Sequence, residues 1–173
     1  MSKKTSPRSD NRRVAMQFLY AWDINRPEIL EDGILSFWEQ QERESAERSE
    51  EGDKPFNRQN YGFADQIIRG VVEHIDEIDE DIAKLAKNWT FKRIAKVDLA
   101  ILRMALYELK YCDDIPPIVT INEAVELGKL FSQDDSKRFI NGVLDRFKEG
   151  LHRPFRQAAG GSSGSDDLKG LID

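Results

Sequence analysis

A single cysteine, Cys112, leaves no disulfide to form within the chain and excludes a metal site built from several thiolates. The only histidines, His74 and His152, lie far apart, so no pair stands at zinc-ligand spacing. The 11 glycines show no phosphate-loop spacing, which removes the nucleotide-triphosphate enzymes built on such loops. No apolar run approaches the roughly 20 residues of a membrane span. The first residues, MSKKTSPRSDNRR, are basic and lack the apolar core of a signal peptide. No segment alternates with period two. Ile115–Ile121 comes nearest, but Pro116, Pro117 and the following Asn122 and Glu123 argue against a strand. The expectation is a soluble cytoplasmic protein, all-α, with no cofactor and no metal.

What is present is charge and helical periodicity. Over 173 residues, 26 Lys and Arg face 32 Asp and Glu, a net charge of -6, and apolar residues make up 39%. The charges are segregated. Residues 1–13 carry Lys3, Lys4, Arg8, Arg12 and Arg13 against Asp10 alone. Residues 39–53 carry seven acids against Arg43 and Arg48, and residues 73–81 carry six acids and no Lys or Arg. Residues 84–96 then carry five bases and no acid. Local basic surface, not the total, is what meets phosphates.

Residues 1–9, interrupted by Pro7, read as a flexible basic arm. A first helix is predicted over 11–23, capped by Ser9 or Asp10, with Val14, Phe18, Leu19 and Trp22 inward. A second runs from 28 to 38 or beyond. Residues 39–60 have few core formers and read as a solvated extension and then a loop. A strong stripe follows from Phe63 through Ile67, Ile68, Val71, Ile75 and Ile78, with Ile82, Leu85 and Trp89 continuing it after a bend. A short helical turn is expected at 91–96. Three more helices are expected over 98–111, from 117 or 118 to 130, and from 134 or 135 to 148. The tail from 150 reads as disordered. The architecture expected is two small helical bundles packed together, about seven helices, with an N-terminal subdomain near 10–80 and a C-terminal one near 81–149.

No catalytic site assembles. Glu123 and Glu126 have no histidine partner and read as a solvated helix face or as capping. Cys112 lacks a base and an electropositive setting, so it is not a nucleophile. Gly142 is read as a point of close helix approach. Binding signals are stronger. Arg13, Gln17 and Tyr20 are spaced by four and three residues and share one side of the first helix, beside Arg8 and Arg12. Guanidinium groups hold phosphates, and an aromatic ring stacks on unpaired bases. A solvated helix start with Tyr20 half buried explains the same residues equally well. At the last helix, Lys137 and Arg138 suit phosphate, whereas Asp134 and Asp135 are accounted for by a helix N-terminus. Periodicity makes Phe139 a core residue with an exposed edge.

Three blocks resemble the NusB family: RRVAMQFLYAW at 12–22, VDLAILRMALYELKY at 97–111, and INEAVELGKLFSQDDSKRFINGVLD at 121–145. In order, and together with the helical segment before residue 90, they cover roughly residues 10–148. The resemblance implies a non-enzymatic, all-helical transcription antitermination factor without a cofactor. It implies binding to the single-stranded boxA element of nascent ribosomal RNA, in partnership with NusE, a small-subunit ribosomal protein. It also implies joining the RNA polymerase elongation complex with NusA and NusG. Carried over, the RNA-binding residues are Arg8, Arg12, Arg13, Gln17, Tyr20, Asp135, Lys137 and Phe139, and Asp98 is the contact for the NusE-like partner. Two features depart from the family: an acidic connection at 39–56 and the tail after 150. An acidic loop folded over the basic arm would weaken RNA binding. The alternative function is a self-associating helical interaction module, a homodimer that covers the RNA surface.

Overall fold

The computed structural model describes residues 7–50, 52, 54–152, 154, 156 and 157. The remainder of the expected arm and tail, 1–6 and 158–173, lies outside the described residues. Seven α-helices follow one another: α1 Pro7–Ile24, α2 Leu30–Arg48, α3 Gly62–Glu73, α4 Ile75–Leu85, α5 Lys96–Tyr111, α6 Pro117–Phe131 and α7 Ser136–Glu149. Short 3-10 turns at Arg58–Tyr61 and Phe91–Arg93 link α2 to α3 and α4 to α5. No strand occurs among the described residues, so the all-α expectation holds.

The organising element is α5. Every residue from Asp98 to Leu109 is buried, as befits a helix enclosed on all sides. Two helical clusters pack together around it, α1 and α3 on one side, α4, α6 and α7 on the other. One continuous apolar core runs from Val14 to Leu144. Helix α2 is peripheral, burying only Ile34 and Trp38. Its second half is solvated and held by local bonds such as Gln40 Nε2 to Glu44, 2.8 Å.

Three local features differ from the sequence expectation. Helix α1 begins at Pro7 rather than 11, because proline suits a first helical turn, where its missing N–H is no loss. Ser9 and Asp10 therefore lie inside the helix rather than ahead of it. The long central stripe divides at His74, whose backbone (φ -105°, ψ 21°) closes α3. The break re-aims α4 along α5 and α7. A Cβ added at Gly142 would meet no atom within 4 Å, so this is not a helix-contact glycine. That role belongs to Gly70, where the Tyr107 ring would lie 2.1 Å from an added Cβ.

Candidate nucleic-acid interface

Helices α1 and α5 run antiparallel, pinned by ion pairs along their length. Near the start of α1, Arg8 pairs with Asp114 at 3.4 Å, just beyond the end of α5. Midway, Arg12 meets Glu108. Near the far end, Asp23 pairs with Lys96 at 2.6 Å and Arg103 at 3.1 Å. Arg8 and Asp23 thus sit near opposite ends of a helix about 27 Å long. The Asp23 end is also where α7 starts, because Asp98 of α5 accepts a hydrogen bond from Ser132, just before α7. The candidate residues form a track along α1 and a second group at the start of α7, not a single pocket.

Arg12 requires a correction. It is 2% exposed, and its Nε and terminal nitrogen donate to both Glu108 oxygens at 2.8–3.1 Å. Glu123 stands 3.8 Å from its other terminal nitrogen, and Thr120 donates to Glu108 at 3.2 Å. Burial alone would push the guanidinium pKa down, but Glu108 and Glu123 hold it above its usual value. The group is spent inside the fold and joins α1, α5 and α6, so no phosphate reaches it. Glu123 is likewise no mere solvated residue, since Ser9 Oγ also donates to it at 2.9 Å.

Asp98 requires the second correction. It is 4% exposed and braces α5 against the segment leading to α7, so its carboxylate does not face a partner. Exposed apolar side chains near that end include Leu130, 71% exposed, Phe131, 39% exposed, and Ile24 at the end of α1, 59% exposed.

The remaining residues lie at or near solvent. Arg8 is exposed, its guanidinium 4.7 Å above the Phe63 ring. Arg13 is half-buried and donates to Asp10 at 3.0 Å. Gln17 is half-buried and Tyr20 is 37% exposed. Asp135 and Lys137 are exposed, while Phe139 is half-buried. Phe139 packs against Trp89 with ring centroids 5.4 Å apart. Trp89, expected within the apolar stripe, is 56% exposed. The two rings wall a cavity of about 280 Å³ that Asn88, Asp135, Arg138 and Arg146 also line. Trp89 and Arg146 escape a reading of the sequence because Trp89 looks like core by spacing and Arg146 like a solvated helix end.

The enzymatic readings find no support in the site chemistry. Cys112 is buried, and burial, with Glu108 and Asp114 nearby, pushes its thiol up to about 11. A thiol held protonated is a poor nucleophile.

The NusB family profile matches residues 9–149. The chain belongs to the NusB family. Transcription antitermination protein NusB of Geobacter sulfurreducens is 44% identical over 140 residues, covering 81% of this chain and 92% of that protein. The Bacillus subtilis protein of the same name is 48% identical over 91 residues, covering 53% of this chain and 70% of its own length. Among solved structures, T. maritima NusB superposes with a TM-score of 0.68 at 29% identity, over 84% of this chain and 93% of that one. The antitermination factors NusB and NusE in complex with double-stranded RNA give 0.67 at 26% identity, over 84% of this chain and 98% of the matched one. NusB-family membership makes this a non-enzymatic factor with a general role in transcription antitermination. Among the described residues, no helix is long and apolar enough to cross a membrane.

Proposed function

We propose that this NusB-family chain binds the single-stranded boxA element of nascent ribosomal RNA together with a NusE-type ribosomal protein. In that complex it joins the cytoplasmic RNA polymerase elongation machinery, with NusA and NusG, and suppresses premature termination. The observation that carries the RNA reading is the set of aromatic and cationic side chains at or near solvent on α1 and at the start of α7. Arg13, Gln17 and Tyr20 share a side of α1, and Trp89, Phe139 and Arg138 line one cavity at the start of α7. Rings of this kind stack on unpaired bases, and arginines hold the phosphates between them. Arg8 and Lys137 extend the cationic contacts, and Asp135 offers an acceptor to a base amino group. The NusE-type partner is assigned to the end of α6, where Leu130 and Phe131 supply apolar area.

The test is fluorescence anisotropy of labelled boxA-like RNA against a scrambled strand, with and without the cognate NusE-type protein. Selective binding that tightens with the partner is expected. Equal binding to both strands, or none, would overturn the proposal. A concentration-dependent dimer mass by light scattering in that case would favour the self-associating alternative.

A further inference from the structure

The acidic connection that departs from the family pattern builds a cavity of its own. The solvated second half of α2 and the loop after it fold beside the start of α1 and border an open depression of about 390 Å³. Small-molecule sites have volumes of this order. Residues 39–53 hold seven acids, yet among the described residues no carboxylate lines the cavity. Three cations do: Arg13 from α1, Arg48 from the end of α2, and Lys54 from the loop. Arg13 and Arg48 are each braced by a carboxylate on their own helix, Asp10 at 3.0 Å and Glu44 at 3.5 Å. Lys54 is exposed and makes no ion pair among the described residues. Two aromatic rings line the same cavity. Phe56 and Tyr61 stack on each other with centroids 5.3 Å apart and planes within 17°. Burial and Asp10 raise the Tyr61 phenol pKa, keeping its hydroxyl a donor. Ser45 and Gln41 add neutral hydrogen-bonding groups.

Three cations and an aromatic pair lining one cavity match the two halves of a nucleotide, an anionic phosphate and a flat base. Arg13 also belongs to the α1 track. Tyr20 lies seven residues on, about 10 Å along the helix axis. A strand lying on Tyr20 and Gln17 is therefore led by Arg13 into the cavity.

We propose that this cavity is a nucleotide subsite that takes one phosphate–ribose–base unit of the RNA strand. Arg13, Arg48 and Lys54 hold the phosphate, and the base lies against Phe56 and Tyr61. The inference rests on the RNA reading given above and extends it to a part of the chain that the family motifs do not cover. Against the expectation that the acidic segment weakens RNA binding stand the two cations, Arg48 and Lys54, that this segment brings to the cavity.

The experiment compares the full chain with an Arg48→Glu/Lys54→Glu variant, and with Tyr20→Ala as a control on the α1 track. Each is titrated with a boxA-like single-stranded RNA at three salt concentrations, and with AMP alone. Arg48 and Lys54 are exposed, so the variant is expected to melt as the wild type does, which circular dichroism checks. The double variant should bind RNA roughly tenfold more weakly and lose about 1.4 from the slope of log affinity against log salt, two single-strand phosphate contacts. If the wild type binds, Tyr20→Ala weakens binding, and the double variant matches the wild type in affinity and slope, the subsite is overturned while the RNA reading stands. If the wild type binds no RNA, the RNA reading falls and the AMP titration decides. Saturable AMP binding lost in the double variant keeps the cavity as a nucleotide site with a free nucleotide as its source, and absence of AMP binding overturns it.

Discussion

Arg12 and Arg13 are adjacent in sequence and opposite in structure. Arg12 points inward, is 2% exposed, and is locked on Glu108. Arg13 points outward, keeps 38% of its side chain exposed, and lines a polar cavity. Along α1, the inner face carries a buried ion-pair network joining three helices, and the outer face carries groups able to meet a ligand. The same residue type serves cohesion on one face and recognition on the other. A change of about 100° around the helix decides which.

The largest expected effect breaks the inner side of this comparison. Arg12→Met leaves the buried Glu108 carboxylate without its partner and should cost about 3–5 kcal/mol in urea unfolding. Arg13→Ala should stay within about 0.5 kcal/mol. Adding Glu108→Leu to Arg12→Met should recover much of the loss, since a paired buried charge is often replaceable by apolar groups. No difference in stability between the two arginine variants would collapse the distinction.

Packing sharpens it next. Gly70→Ala drives a methyl group into the Tyr107 ring and should destabilise by about 1–3 kcal/mol. Gly142→Ala, facing open space, should be neutral or should stabilise by up to about 1 kcal/mol through helix propensity. Thermal melts of the two variants in parallel are the check.

The outer face is probed by Tyr20→Ala. It should weaken RNA binding by about 1–3 kcal/mol with little change in salt slope, whereas Arg13→Ala should lower that slope by about 0.7. Both variants should fold normally. If Tyr20→Ala changes neither affinity nor stability, Tyr20 has no part in the interface.

The mildest probe is pH. Burial alone would raise the Asp23 carboxyl pKa, but bonds from Lys96 and Arg26 and the charge of Arg103 outweigh it and hold the group at about 2. Its folded value is lower than its unfolded value of about 3.9. The stability it contributes is therefore present above about pH 4 and is lost as pH falls toward about 2. Wild type and Asp23→Asn should differ in melting temperature at neutral pH and converge near about pH 2. A constant gap across that range would show that Asp23 is not held in this way.

Much of the fold was legible because helical periodicity survives in one dimension. The stripe through Ile67, Ile68 and Val71 and the leucines of α5 placed their helices within a few residues. The break at His74 was less legible, because both halves of the stripe are apolar at the same spacing. Arg12 itself carried a readable signal. It stands three, four, seven and ten residues before Ala15, Met16, Leu19 and Trp22, on the buried stripe, and Glu108 falls on the corresponding stripe of α5. Its charge argues for an outward position, and that argument loses to the spacing once a buried carboxylate is there to meet it. Trp89 errs in the other direction, because an aromatic at core spacing stands 56% exposed once the chain leaves α4.

The sequence by itself determined that this chain is all-helical, roughly where most of its helices lie, and, through the resemblance of three ordered blocks, which family it joins. Those properties are local, set by the spacing of apolar side chains and by prolines along the chain. Only the tertiary structure decided which arginine is cohesive and which faces outward, which glycine admits an aromatic ring, and where an acidic connection brings cations to a cavity beside α1. Each of these depends on residues far away in sequence, such as Glu108 for Arg12, Tyr107 for Gly70 and the α2–α3 connection for the cavity beside Arg13. Periodicity along one helix carries no information about the helix that will pack against it.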